Sequence, residues 1–125
     1  MGRLRADFLE RVENFADRML DVAEALEKEK RFRRIVDQIS GCGTSPGANM
    51  FEADQAMTRK DFAKTVAIVV KELSEAKFWL RLVGRRRWIK PERLEPLLDE
   101  TDQLLAIANT MIVRTRKTSA RPLRP

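Results

Sequence analysis

Residues 38–83 read QISGCGTSPGANMFEADQAMTRKDFAKTVAIVVKELSEAKFWLRLV, and the fold turns on how this stretch is interpreted. The second half is plain. Thr58, followed three residues on by Asp61, has the pattern of a helix N-cap with an acid at N3. Phe62, Val66, Val69, Leu73, Ala76 and Leu80 then recur at spacings of three and four, which is one face of a helix. The pattern predicts a helix from 59 to 83, closed by Gly84 as a C′ glycine. The first half is ambiguous. Ile35, Ile39, Cys42, Asn49, Ala53 and Met57 keep a helical phase, yet Gly41, Gly43, Pro46 and Gly47 lie among them. Inside a helix each Gly costs about 1 kcal/mol and a Pro about 3 kcal/mol. On the residues alone, a loop over 40–47 and a helix whose small residues admit a close neighbour stand level.

The flanking segments are clearer. Leu4, Phe8, Val12, Phe15, Met19, Val22 and Leu26 place a narrow apolar stripe on a first helix over residues 4–28, whose outer face carries Glu10, Glu13, Asp17, Asp21, Glu24 and Glu27. Pro91 suits the first turn of a fourth helix, and Pro96 is expected within its first turn or so. The stripe that follows runs from Leu94 and Leu97 through Leu104 and Ala108 to Ile112. Four helices with short links predict an all-α, antiparallel up-down-up-down four-helix bundle over residues 1–117. Residues 118–125, basic and Pro-containing, are expected to form a disordered tail.

The third helix has a second apolar side. Ile68, Trp79 and Leu82 lie roughly 120–160° around from its main stripe, at 100° per residue. A lone bundle covers one side only, so these three are candidate contacts between copies of the chain; tolerated exposed apolar residues are the alternative.

Composition narrows the chemistry. The 125 residues contain no histidine, which removes the commonest general base and zinc ligand and half of the di-iron motif of helical bundles. The single Cys42 forbids an intramolecular disulfide, fits a reducing, cytoplasmic setting, and reads as a small buried thiol. The first residues lack the apolar core of a secretory signal, and no 18-residue apolar run exists to span a membrane.

Net charge is +6, which favours an acidic partner. The charge is clustered. Lys28, Lys30, Arg31, Arg33 and Arg34 form a basic elbow after the first helix, and Arg85, Arg86, Arg87, Trp88 and Lys90 a second cluster after the third. In an up-down-up-down bundle these two links share one end. Arg59, Lys60, Lys64, Arg114, Arg116, Lys117, Arg121 and Arg124 gather at the other. Arg31, Arg33, Arg34, Arg85, Arg86, Arg87 and Lys90 are therefore candidate phosphate contacts for RNA or DNA, with Trp88 a candidate for base stacking. The competing reading is that cations at helix C-termini answer the helix dipole and keep the ends solvated.

Asn49 and Glu52, and likewise Glu72 and Glu75, are three apart, so each pair shares a helix face. They are expected to form a structural hydrogen-bond network with Lys71 or Arg81, fixing register or a subunit contact. Without histidine, or further carboxylates on the inward stripe of helix four, neither a metal, a cofactor nor catalysis is expected there.

Gln38-Ile39, Thr44-Ser45, Gly47-Ala48-Asn49, Glu52-Ala53, Thr58-Arg59-Lys60-Asp61-Phe62, Lys71-Glu72-Leu73, Glu75 and Phe78-Trp79-Leu80 form a linked set. In this order they resemble the four-helix-bundle proteins of the 23S ribosomal RNA intervening-sequence family over residues 8–113. The resemblance implies that the glycine-rich stretch belongs to one continuous second helix, kinked near Pro46. It implies a ring-forming homo-oligomer, a pentamer. It also implies kinship with the basic accessory variability determinant proteins of diversity-generating retroelements, which engage nucleic acid and a reverse transcriptase. Ser40 and Gly41 stand where the family commonly carries basic residues, which argues against RNA binding by helix two itself. The expectation is a cytoplasmic, non-enzymatic homo-oligomer binding RNA or DNA through basic helix ends. The alternative is a scaffold that recruits a partner enzyme without nucleic acid.

Overall fold

A computed structural model describes residues 2–120, with side chains through residue 117. Four helices follow in order: α1 (Ala6–Lys28), α2 (Arg33–Asp54), α3 (Arg59–Arg85) and α4 (Pro91–Ala120). Helix α4 continues past Lys117, where a tail was expected to begin; the remainder of that expected tail, 121–125, lies outside the described residues.

The direction of each helix is fixed by contacts at the ends. The N-terminal residues reach the end of α2: the Arg3 and Leu4 amides donate to the Asp54 carbonyl and carboxylate at 3.0 and 2.6 Å. Arg3, Arg59 and Arg114 line one cavity, which places the chain start, the start of α3 and the end of α4 together. At the opposite end Phe32, in the α1–α2 link, meets Trp88, in the α3–α4 link. The helices therefore run up, down, up and down. Consecutive helices pack along their lengths, and the seam between α1 and α4 is the loosest of the four around the bundle. Arg11 bridges that loose seam. Its guanidinium donates two parallel bonds to Glu100, at 2.8 and 2.7 Å, and a third to Gln103 at 2.8 Å. The fork matches a carboxylate in geometry as well as charge.

The heptad-like stripes become the core. Val12, Phe15, Met19 and Leu26 of α1 are fully buried with Ile39 and Met50 of α2, Val66, Val69, Leu73 and Leu80 of α3, and Leu94 and Leu104 of α4. Thr101, the buried polar residue of the described core, donates its hydroxyl to the Leu97 carbonyl at 2.7 Å, so it leaves no orphan group.

The glycine-rich stretch is helical throughout, with Pro46 inside α2. Tertiary packing overrides propensity here. A methyl group on Gly43 would overlap the Cβ of Met19, and one on Gly47 would sit 3.6 Å from the Val12 carbonyl oxygen. α2 thus lies against α1 almost backbone to backbone, and the surface buried by that approach offsets the poor propensity. Gly41, one turn face away, has nothing within 4 Å. The apolar phase of α2 ends at Ala53, and Met57, expected to continue it, lies beyond the helix and is almost fully exposed.

Thr58 caps α3 as expected, accepting from the Asp61 amide at 3.0 Å. The C-terminal end differs. Gly84 is not the C′ residue: α3 continues to Arg85, and Gly84 serves packing, since a methyl there would come within 3.3 Å of Leu94. Pro96, the sixth residue of α4, lies just past the first turn in which it was expected, so the carbonyl of exposed Glu92 loses its intrahelical donor.

Candidate nucleic-acid interface

Two equivalent helix ends build the basic pole. After α1, Lys30 takes a left-handed backbone (φ 54°); its amide donates to the Glu27 carbonyl at 2.9 Å, and the Arg31 amide donates to the Leu26 carbonyl at 3.0 Å. After α3, Arg87 does the same (φ 58°), its amide bonding the Gly84 carbonyl at 3.0 Å and the Trp88 amide the Val83 carbonyl at 3.1 Å. Both are Schellman motifs, and both place a cation where glycine is the cheaper residue. The residues that follow the two left-handed positions, Arg31 and Trp88, are the pair that meet. The Arg31 guanidinium carbon lies 5.3 Å from the Trp88 ring centroid, and that of Arg86 lies 5.7 Å from it. Cations at such distances are held by the ring quadrupole. Phe32 packs at 6.0 Å from the same ring, tilted by 48°. The two links expected to be neighbours are thus neighbours, with Trp88 at their junction.

The structure sorts the eight candidate residues. Arg33 is occupied: it bonds Glu27 at 2.6 Å and Asp37 at 3.2 Å, and these carboxylates, Glu27 foremost, hold its pKa above the usual value. Arg34, Arg85, Arg87 and Lys90 are exposed and form no ion pair among the described residues. Arg31 is half-buried, and its Nε–H is buried with no acceptor among the described residues. Trp88 is half-buried against the core with two guanidinium groups over its ring, which leaves Phe32 as the accessible aromatic of this pole. Phe32 is not among the candidates named from the sequence, although Arg31-Phe32-Arg33-Arg34 carries the same signal as Arg87-Trp88: an aromatic set among cations. Phe32, the N-cap residue of α2, gives it no side-chain cap, and the first turn carries no acid, so its free amides add to the positive potential.

The opposite pole is also basic. Arg59, Lys60, Lys64 and Arg116 line one cavity with Thr115.

The polar centre lies between α2 and α3 and does not close as the expected network. Asn49 donates its amide to the carbonyl and hydroxyl oxygens of Ser45, both at 3.0 Å, one turn back in its own helix. Glu52 is exposed, and Glu72 and Glu75 are half-buried; no hydrogen bond or ion pair joins these carboxylates to one another, to Asn49, or to Lys71 and Arg81 among the described residues. The local acceptor at i−4 simply outcompetes the more distant carboxylates. Burial, with the negative charges of Glu75 and Glu72 adding to it, pushes the Cys42 thiol from 9.0 up to about 12. Cys42 is buried and free, the small buried thiol expected. Among the described residues no group of three or more acidic, cysteine or histidine side chains is placed to hold a metal ion.

Of the three candidate contacts between copies, Ile68 is 41% exposed, while Trp79 and Leu82 are half-buried within the chain. Trp79 stacks edge-on against Phe78 at 5.0 Å, and Phe78 itself is 57% exposed. The Trp79 Nε1–H is buried without an acceptor among the described residues, although buried tryptophan donors usually have one.

These features define a class first: an all-α, up-down-up-down bundle with basic poles and an incompletely covered third helix. Within that class the chain belongs to the 23S rRNA-intervening sequence protein family, which it matches over residues 5–110. It is also similar to a solved structure, a protein of unknown function from the S23 ribosomal protein family of Bacteroides thetaiotaomicron. The two are 31% identical and superpose with a TM-score of 0.79, over 83% of this chain and 96% of the other. No curated protein matches the chain. Among the described residues, no helix is long and apolar enough to cross a membrane.

Proposed function

We propose that the protein is a non-enzymatic, cytoplasmic homo-oligomer, a pentamer as the family resemblance implies, that binds RNA or DNA through its basic poles. The observation that carries this reading is the convergence of two basic links on Trp88, where Arg34, Arg85, Arg87 and Lys90 remain exposed and uncompensated. The helix dipole accounts for cations at the end of α3 one by one, but so many unpaired charges of one sign repel one another unless an anion sits among them. With no groove-reading element, binding is directed at the backbone and releases counterions. The test is fluorescence anisotropy against a generic RNA at two salt concentrations, with Arg85, Arg86 and Arg87 changed together to glutamine. Weaker binding with a shallower salt dependence is expected, and unchanged affinity and slope would reject these contacts.

Association is supported by exposed Ile68 and Phe78 beside the unanswered Trp79 donor. Light scattering at micromolar concentration tests it: a species of only 14.5 kDa refutes the oligomer. A second reading, a scaffold that recruits a partner protein such as a reverse transcriptase, draws on the groove of α3 where Phe78 and Leu82 lie beside Lys77, Arg81 and Arg85. Absence of RNA binding at low salt would favour it.

A further inference from the structure

The aromatic groups of the basic pole have different situations. Trp88 is packed against the core and carries Arg31 and Arg86 over its ring, so its surface is taken by cations that it holds in place. Phe32 is 66% exposed, on a short link between two helices, within 6.0 Å of that same ring. Arg31, next to Phe32 in the chain and over the Trp88 ring, has a buried Nε–H that no group of the described chain accepts, which holds that part of its side chain against the protein. A buried donor without an acceptor carries its full desolvation cost.

An accessible ring and two guanidinium groups are therefore gathered around one indole. The chemistry that answers all three is a single unpaired nucleotide. Its base offers a π-face to the ring, and its phosphate offers acceptor oxygens to the guanidinium forks. A duplex answers only the cations, because its base faces are stacked on one another.

We propose that this pole binds single-stranded nucleic acid, with Phe32 stacking on an unpaired base while Arg31 and Arg86, held over Trp88, contact the adjoining phosphate. The inference rests on the nucleic-acid reading above and adds strand selectivity to it. Trp88 is a positioning residue in this arrangement, and Phe32 is the residue that touches the ligand.

Three labelled probes of equal length test it by anisotropy: a single-stranded RNA, the matching duplex, and an abasic strand that keeps the phosphates. Phe32→Ala and Phe32→Leu both remove the π-face, and Phe32→Leu keeps an apolar body at the link. Both variants should weaken binding of the single strand by about tenfold. Both should leave the duplex and the abasic strand within about twofold of wild type, with the salt slope unchanged. Equal losses on all three probes, or no loss on the single strand, overturn the stacking. Wild-type protein that binds none of the probes at low salt overturns the nucleic-acid reading itself. Wild-type protein that binds all three with steep salt dependence, yet is indifferent to Phe32, overturns this inference alone.

Discussion

Gly41 and Gly43 occupy the same helix two residues apart, and the same substitution should act on them with opposite sign. Replacing a helix-interior glycine by alanine restricts the unfolded chain and gains about 0.5–1 kcal/mol where the new methyl meets no obstacle. Gly41 has nothing within 4 Å, so Gly41→Ala should gain that amount. At Gly43 the new methyl overlaps the Cβ of Met19 and comes within 2.9 Å of its Cγ. Carbon atoms rest about 3.5–4.0 Å apart. A Cβ is fixed to its backbone and no rotamer change moves it, so α1 and α2 must part. Overpacking of this kind costs about 1–3 kcal/mol, and the immobile neighbour places it at the upper end. After the propensity gain, Gly43→Ala should destabilise by about 2 kcal/mol, lowering Tm by about 6–10 °C in a chain of this size. Gly47→Ala, whose methyl would meet the Val12 carbonyl oxygen at an ordinary 3.6 Å, should be neutral to mildly stabilising. Thermal and urea melts of the three variants decide the matter, repeated at several protein concentrations so that association contributes a separable, concentration-dependent part. If Gly43→Ala melts at or above wild type, the close approach of α1 and α2 is wrong, and with it the reason given for a glycine-rich helix.

Other outcomes follow from the same contacts. Arg87→Gly should raise stability by about 1 kcal/mol, because it relieves a left-handed backbone at a non-glycine residue, while weakening RNA binding; a lower Tm would show that no strain is held there. Arg11→Lys keeps the charge but loses the fork to Glu100, and should cost about 1 kcal/mol in urea unfolding. A double-mutant cycle with Glu100→Gln should show coupling, and additive losses would contradict the clamp. The Cys42 thiol should resist a thiol reagent in the native protein and react once it is unfolded. Its folded pKa, about 12, lies above its unfolded value, so the folded state holds the proton more tightly, and stability present below pH 9.0 should be lost as pH rises toward 12. The difference between wild type and Cys42→Ala, melted at about pH 8 and about pH 10.5, isolates that contribution; a difference independent of pH would refute it.

Much of the architecture was legible because helical periodicity is local. The stripes of α1, α3 and α4 name their buried residues directly, and Thr58 with Asp61 marks the start of α3. Topology then carries the two basic links to one pole, since short connections leave antiparallel neighbours little choice. The candidate interface was legible only in outline. Arg33 looked like its neighbours in the sequence, but Glu27 and Asp37 claim it. Trp88 looked like the stacking ring, but its half-burial and two guanidinium groups hand accessibility to Phe32. The polar centre failed for a related reason: whether Asn49 bonds a carboxylate on α3 or Ser45 on its own helix depends on distances that spacing along the chain does not contain.

The amino-acid sequence by itself determined α1, α3 and α4, the face each of these turns inward, the alternating direction of the bundle, and the separation of charge to the two poles, while the glycine-rich interior of α2 stayed open on the residues alone. These follow from the 3.6-residue repeat and from short links, which are properties of the chain read a few residues at a time. Tertiary structure alone decided that Gly43 is a contact with Met19 while Gly41 is merely tolerated, and that Gly84 packs against Leu94 instead of ending α3. It alone decided that Lys30 and Arg87 take the left-handed turns that no glycine announces. Each of those outcomes depends on which atoms stand opposite across a helix seam or a link, and that neighbour lies too far along the chain for local pattern to specify it.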